Sequence, residues 1–369
     1  MVIFTSICSN YLHKARTLAK SVKENISDSK FLVCLVEDSI PQNASYEYFD
    51  EIVLAKDAWE GNFERFIFKH SIVEASTSVK GQFFRYLYKK FPNESQFVYL
   101  DPDTYVYSDF IELKELLKDN PIVLCPHLLQ PGNIDMELSS TAHGVYNLGF
   151  LGVNSSEEAQ KFINWWADRL FLFCYDDMGK GIFTDQKWVD LAPCFFNVLI
   201  LKHRGYDFAP WSLLNCGMTE ENDKIYIQGD PLRFIHFSGY GATAEKCMRE
   251  WLPEGNHPFK KLYQEYSLIH DANNYDNVSQ AKWTYSCYKS GEKISQKVRE
   301  KYRASNEIMY LVENPFEKSN AFYNKLNLKR TRNHNRKIAQ YYQKVINTYN
   351  QEGIHGVIKK TIHKLTMKN

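Results

Sequence analysis

The run Gln96-Phe97-Val98-Tyr99-Leu100 is apolar and aromatic, and it ends directly on Asp101-Pro102-Asp103. A short run of this kind reads as a buried strand. In open α/β sheets the ligand lies beyond the carboxyl ends of the strands, so Asp101 is expected where a binding residue would stand. Two carboxylates at i and i+2 on such a turn can take one hard divalent cation, directly or through water, and that cation can also receive the phosphates of a nucleotide diphosphate. The same tripeptide also serves as an ordinary turn, so its surroundings decide.

Those surroundings alternate strand and helix. Strands are expected at Phe4–Cys8, Phe31–Val36, Glu51–Leu54, Ile122–Cys125, Phe150–Val153, Val198–Leu201 and Arg233–Phe237. Helical spacing covers Leu12–Lys23, Asn62–Phe91 with a break at Gly81, Glu157–Phe171 after the Ser155/Ser156 capping signal, and Asp185–Leu191. This order favours an α/β fold on a mostly parallel sheet. Beyond about Trp251 strands give way to helical, Tyr-rich sequence. The expected organisation is a domain over 1–252, a helical extension over 253–324 and a basic amphipathic segment over 325–369.

The charge pattern separates the last segment from the rest. From Lys325 onward there are eleven Lys and Arg and one acid, Glu352, so this segment carries +10 while the remainder carries −9 within a chain of formal charge +1. Ile354, Val357, Ile358, Ile362 and Leu365 interleave with Lys359, Lys360, Lys364 and Lys368, a pattern that suits a helix lying on an anionic membrane surface, or equally one packed on the body. No reading motif for nucleic acid accompanies the charge, so no nucleic-acid partner is expected. There is no apolar run of membrane-spanning length, and Met1–Cys8 lacks the pattern of a signal peptide, which predicts a cytoplasmic protein. Eight scattered cysteines without a Cys-x-x-Cys pair read as reduced thiols and not as a zinc site.

Four motifs then occur in order. Tyr99-Leu100-Asp101-Pro102-Asp103-Thr104-Tyr105-Val106-Tyr107, preceded by Phe83-Phe84-Arg85-Tyr86-Leu87, resembles the central metal-binding strand of GT-A glycosyltransferases. Tyr146-Asn147-Leu148-Gly149-Phe150-Leu151-Gly152-Val153-Asn154 is similar to the segment that faces the donor sugar in enzymes of the family 8 kind. Thr184-Asp185-Gln186-Lys187-Trp188 resembles their Asp-Gln element, and His236-Phe237-Ser238-Gly239 resembles the late histidine of their metal site. The resemblance covers roughly residues 1–250.

It implies a GT-A fold, Rossmann-like with flanking helices, and a metal-dependent hexosyltransferase that uses a UDP-sugar such as UDP-glucose or UDP-galactose. The implied acceptor is a glycan, glycoprotein or lipid-linked glycan, and the implied stereochemistry is retention. Asp101, Asp103 and His236 would hold the metal, Mn²⁺ or Mg²⁺, and the mixed oxygen and nitrogen set suits Mn²⁺ better than Ca²⁺. Gly239 would let backbone approach phosphate, and Gly149 belongs to the donor-facing segment. Asn147 and Gln186 could hydrogen-bond sugar hydroxyls. Asp185 could stabilise positive charge at the anomeric carbon, or simply cap a helix. Asn10-Tyr11 stands where the nucleotide base would be held, with stacking worth about 1–3 kcal/mol. Arg85 would steady donor oxygens or remain a surface charge.

One departure is visible. Family 8 enzymes usually follow the late histidine with Lys-Pro-Trp, whereas this chain continues Tyr240-Gly241-Ala242, so phosphate contacts are assigned to Arg299 or Arg303 in the helical extension. Two rival readings stand beside the transferase. A nucleotidyltransferase would carry a glycine- and lysine-rich phosphate loop near its first strand, and Ser9-Asn10-Tyr11 offers none. A non-catalytic glycan-binding scaffold would keep the fold and lose metal-dependent turnover.

Overall fold

The computed structural model describes residues 1–276 and 278–326. The basic amphipathic segment, apart from its first two residues, lies outside the described residues. Met1–Tyr323 forms one compact unit and a second unit begins at Asn324. Among the described residues no helix is long and apolar enough to cross a membrane.

A seven-stranded sheet organises the first unit. It is built from β1 (Val2–Ile7), β2 (Lys30–Leu35), β3 (Glu51–Leu54), β4 (Gln96–Leu100), β6 (Ile122–Leu124), β7 (Phe150–Asn154) and the strand Val198–Ile200. The order across the sheet is Val198–Ile200, β6, β7, β4, β1, β2, β3. β7 runs antiparallel to both β4 and β6, while every other pairing is parallel. This is the mixed, mostly parallel α/β architecture expected from the strand and helix alternation. All six residues of β1 are buried, as a central strand covered on both faces requires.

Flanking helices cover the sheet. α1 (Leu12–Asn25) places Leu12, Ala15, Leu18, Ala19 and Val22 on one face, and these join Ile3, Val33 and Val98 in the core. On the opposite side Phe4 of β1 meets Phe83 and Phe84 at ring-centroid distances of 5.0 and 4.7 Å.

The segment expected as one helix over Asn62–Phe91 is three: α2 (Phe63–Ile67), α3 (Ile72–Ser78) and α4 (Lys80–Lys90). Asn62 caps α2 through Arg65 N, and Ser71 with Glu74 forms a capping box that starts α3, so polar caps set these boundaries. Gly81 does not break a helix. It sits inside α4 against α7 (Glu157–Phe173), where an added Cβ would lie 2.7 Å from the Ala167 Cα. Ser156 caps α7 through Ala159 N, as its position predicts.

The strand Phe234–His236 does not join the large sheet. It pairs antiparallel with β5 (Thr104–Val106), setting His236 opposite Thr104. Residues beyond 252 belong to the same unit: the helix Pro258–Ala272 buries Phe259, Leu262 and Tyr266 in one cluster with Phe208, Ile235 and Phe237.

Candidate active site

Asp101 follows β4, and Asp103 closes the turn that leads into β5. The backbone fixes both ends of this turn: Asp101 N donates to Gly149 O, and Phe237 N donates to Asp103 O, at 2.8 Å each. Pairing with β5 therefore brings His236, more than 130 residues away, beside the two carboxylates. His236 Nε2 lies 3.3 Å from Asp103 Oδ1 and 3.8 Å from Asp101 Oδ2. One ligand atom from each of the three lies within 4.8 Å of the others.

Gly149 makes room for this arrangement. A Cβ there would stand 2.4 Å from His236 Cε1 and Nδ1, so any side chain would displace the imidazole. The expectation for Gly149 was a place facing the donor; its geometric service here is to the histidine. Gly239 has φ +66°, in the left-handed region, and its backbone accepts from Ala244 N, helping to start the helix Ala242–Trp251.

Asp185 precedes α8 (Gln186–Val189), yet its side chain makes no capping hydrogen bond. It is buried, and its Oδ2 lies 2.9 Å from Lys80 Nζ. Lys80, the first residue of α4, also reaches Asp101 Oδ1 at 3.3 Å, donates to Leu148 O at 3.1 Å, and sits 4.0 Å from the centre of the Tyr99 ring. Tyr99 Oη in turn donates to Asp101 Oδ1 at 2.5 Å. Lys80 is thus a bridge between Asp101 and Asp185.

Electrostatics follow from burial and from these neighbours. Burial alone would lower the Lys80 pKa, but Asp101 and Asp185 push it well above the usual lysine value. Burial raises Asp185, with Lys80 opposing. Burial likewise works against the charged form of His236, but Asp103 and Asp207 outweigh it and hold the ring's pKa well up. Asp103 is held below the ordinary carboxylate range by His236 and Lys14, against its own burial.

The remaining expected residues divide. Asn147 is buried; it accepts from Gly149 N and turns its amide nitrogen toward His236 Nδ1, 3.1 Å away. Gln186 accepts from Leu148 N and donates to His143 O. Both line the cleft, and their polar atoms hold its wall together. Asn10 and Tyr11 lie in the turn Ser9–Tyr11 after β1. Tyr11 is exposed, and Lys14 links it to the cluster, with Nζ 4.4 Å from the Tyr11 ring centre and 3.7 Å from Asp103 Oδ2.

Three arginines are not brought to the site. Arg85 pairs with Asp168 at 2.9 Å and binds Asn164 across the α4–α7 contact, because its helical position points it at α7. Arg299 is buried and donates to Phe68 O and Tyr285 O, and Arg303 pairs with Glu74. The phosphate role expected of the last two has no geometric basis. Lys80, Lys14 and Asp207 are the charged groups at the site that sequence reasoning missed.

The cluster opens on a cleft of about 500 Å³ lined by Lys80, Asp101, Asn147, Asp185, Gln186 and His236, with Trp211 and His127 on its wall. Two carboxylates and one imidazole converging beside such a cleft fit a divalent cation of intermediate hardness. The cleft has the size of a pocket for a small molecule.

Among known proteins, no family model matches the chain. The chain is 26% identical over 200 residues to the uncharacterized protein YfnD of Bacillus subtilis (strain 168), a match that covers 52% of this chain and 62% of YfnD. It is 25% identical over 250 residues to the uncharacterized protein YfnF of the same organism, covering 64% of this chain and 80% of YfnF. The chain thus spans less than two thirds of the length of YfnD. Among solved structures it is similar to the galactosyltransferase LgtC in complex with donor and acceptor sugar analogs, at 16% identity and TM-score 0.44, over 74% of this chain and 96% of that one. It is also similar to the glycosyltransferase GlyE of Streptococcus pneumoniae TIGR4, at 16% identity and TM-score 0.42, over 78% of this chain and 66% of that one. Likeness at this level assigns no activity.

Proposed function

We propose that this chain is a metal-dependent glycosyltransferase of the GT-A type, which moves a hexose from a UDP-sugar to a glycan, glycoprotein or lipid-linked acceptor. The observation that carries the reading is the convergence of Asp101, Asp103 and His236 within 4.8 Å, with Asp101 and His236 lining the cleft. These three residues would hold Mn²⁺ or Mg²⁺, which would supply electrophilic assistance to a diphosphate leaving group.

The chain's own residues do the rest. Lys80, kept protonated between Asp101 and Asp185, fixes the position of both carboxylates and sets a positive charge in the cleft lining. Asp185 presents a buried carboxylate that can stabilise positive charge developing at an anomeric carbon, where low dielectric strengthens the interaction. Gln186 and Asn147 hold the donor-facing wall rigid. Tyr11, exposed at the end of β1, offers a ring face for the base. Retention of configuration follows if the likeness to family 8 extends to stereochemistry. The basic segment after Lys325 would bring the enzyme to an anionic membrane surface bearing its acceptor.

The test is release of UDP from a panel of UDP-sugars, with and without Mn²⁺, in the native protein and in Asp103→Ala. Release from one donor that needs the metal and disappears in the variant is expected. A protein that binds no nucleotide with or without metal would overturn the reading and leave the scaffold.

A further inference from the structure

Behind His236, on the side away from Asp101 and Asp103, stands a carboxylate that the reading above does not use. Asp207 lies in the connection between the strands Val198–Ile200 and Phe234–His236, and Phe208 bridges Ile235 in parallel. His236 N donates to Phe208 O at 2.8 Å, which fixes Asp207 beside the ring. Its side chain is only 1% exposed, and Oδ1 lies 3.4 Å from His236 Nδ1. Neither carboxylate oxygen has a hydrogen-bond partner by strict geometry, so His236 is the one charged group within ion-pairing distance of it among the described residues. Asp207 also has φ +52°, a conformation that costs a non-glycine residue energy and that Asp and Asn tolerate best. A carboxylate that is buried, poorly partnered and held on strained backbone is expensive to keep unless it serves the group it faces.

The ring it faces has two possible neutral forms, and only one can bind a cation through Nε2. Asn147 Nδ2, turned toward the ring because Asn147 Oδ1 accepts from Gly149 N, lies 3.1 Å from the same Nδ1. An amide donor there favours a lone pair on Nδ1 and therefore a proton on Nε2, where it would block a metal. A carboxylate favours the proton on Nδ1 and frees Nε2. We propose that Asp207 is the positioning residue that selects the Nδ1–H form of His236 and aims its Nε2 at the cation held with Asp101 and Asp103. The inference rests on the proposed metal site and deepens it. In the general pattern the second nitrogen of a metal-binding imidazole donates to a carboxylate, a bond that the Nδ1–H form would have to close over the 3.4 Å to Asp207 Oδ1, and loss of such a partner weakens metal binding by about 10- to 100-fold.

The experiment uses the full chain and Mn²⁺ alone. Free Mn²⁺ is followed by electron paramagnetic resonance during titration of the native protein, Asp103→Ala and Asp207→Asn, with thermal unfolding of each measured in the absence of metal. Asn keeps the size of Asp207 and tolerates its φ, so the fold is expected to survive, and removal of a poorly partnered buried charge should leave Tm unchanged or higher. The expected result is Mn²⁺ binding that is about 10- to 100-fold weaker in Asp207→Asn with no fall in Tm. Native affinity in Asp207→Asn, with binding lost in Asp103→Ala, would overturn the positioning role alone. A lowered Tm with native affinity would make Asp207 a merely structural residue and would also overturn it. A native protein that binds no Mn²⁺ would overturn both the role and the metal site.

Discussion

Arg16 and His236 are buried to nearly the same degree, yet their surroundings are opposite. Arg16 is saturated: its guanidinium pairs with both oxygens of Asp276 and donates to Asn273 O and Ser45 O. His236 faces three carboxylates, of Asp101, Asp103 and Asp207, at 3.3 to 3.8 Å, and those of Asp207 have no other partner. One cation with more acceptors than it needs ties a loop to a helix. Four acids, Asp101, Asp103, Asp185 and Asp207, against Lys80 and Lys14 leave negative charge around the imidazole that a divalent ion can neutralise. Buried charge is matched around Arg16 and left in excess around His236, and the proposed metal site rests on that excess.

The largest effect should come from the unmatched region. Asp103→Ala should reduce metal-dependent UDP release on the order of 10³-fold, the scale of several kcal/mol of charge stabilisation, with little loss of stability, as read by turnover and by Tm. Arg16→Ala should behave in the reverse way. Breaking a buried ion pair costs about 3–5 kcal/mol, so the denaturation midpoint should fall sharply while Mn²⁺ affinity per folded molecule is kept. If Arg16→Ala also weakened Mn²⁺ binding, the separation of the two regions would fail.

Gly149→Ala sharpens the comparison from another side. A methyl group 2.4 Å from the imidazole must push His236 off its position, so overpacking should cost about 1–3 kcal/mol of stability and weaken Mn²⁺ binding together. An unchanged affinity would mean that the ring can move without consequence. Arg85→Ala should matter least: its pair with Asp168 is partly exposed, worth about 0.5 kcal/mol, and UDP release should be native.

Acid should act outside the site as well. His13 is pushed down to about 3 by burial, then by His270 and the nearby cations. An unfolded His13 titrates near its ordinary value of 6.5, so between about 6.5 and 3 the unfolded chain binds the extra proton. The stability tied to neutral His13 is therefore complete above pH 6.5 and is lost as pH falls toward 3. Urea midpoints of His13→Gln should decline less than native ones from pH 6.5 to 4; equal slopes would remove this assignment.

How much of this was legible follows from the same contrast. Asp101 and Asp103 could be read because the apolar run Gln96–Leu100 ends on them, and a strand's end is a local property. His236 and Asp185 came from resemblance, since the β5 pairing and the Lys80 bridge that give them partners are long-range. Lys80 was hidden inside a helical pattern, where a lysine reads as a surface charge. Asp207 had no signal, because its neighbour is set by the Phe208–Ile235 bridge and not by spacing. Arg85, Arg299 and Arg303 looked available for phosphate because their partners, Asp168, backbone carbonyls and Glu74, are distant in sequence.

The most direct test of the central claim is the affinity of UDP with and without Mn²⁺, measured by calorimetry on the native protein and on His236→Ala. UDP bound at least about tenfold more tightly with Mn²⁺, a difference of about 1.4 kcal/mol, with the gain lost in the variant, is the predicted result. UDP affinity that ignores Mn²⁺, or a gain that survives in His236→Ala, would contradict it.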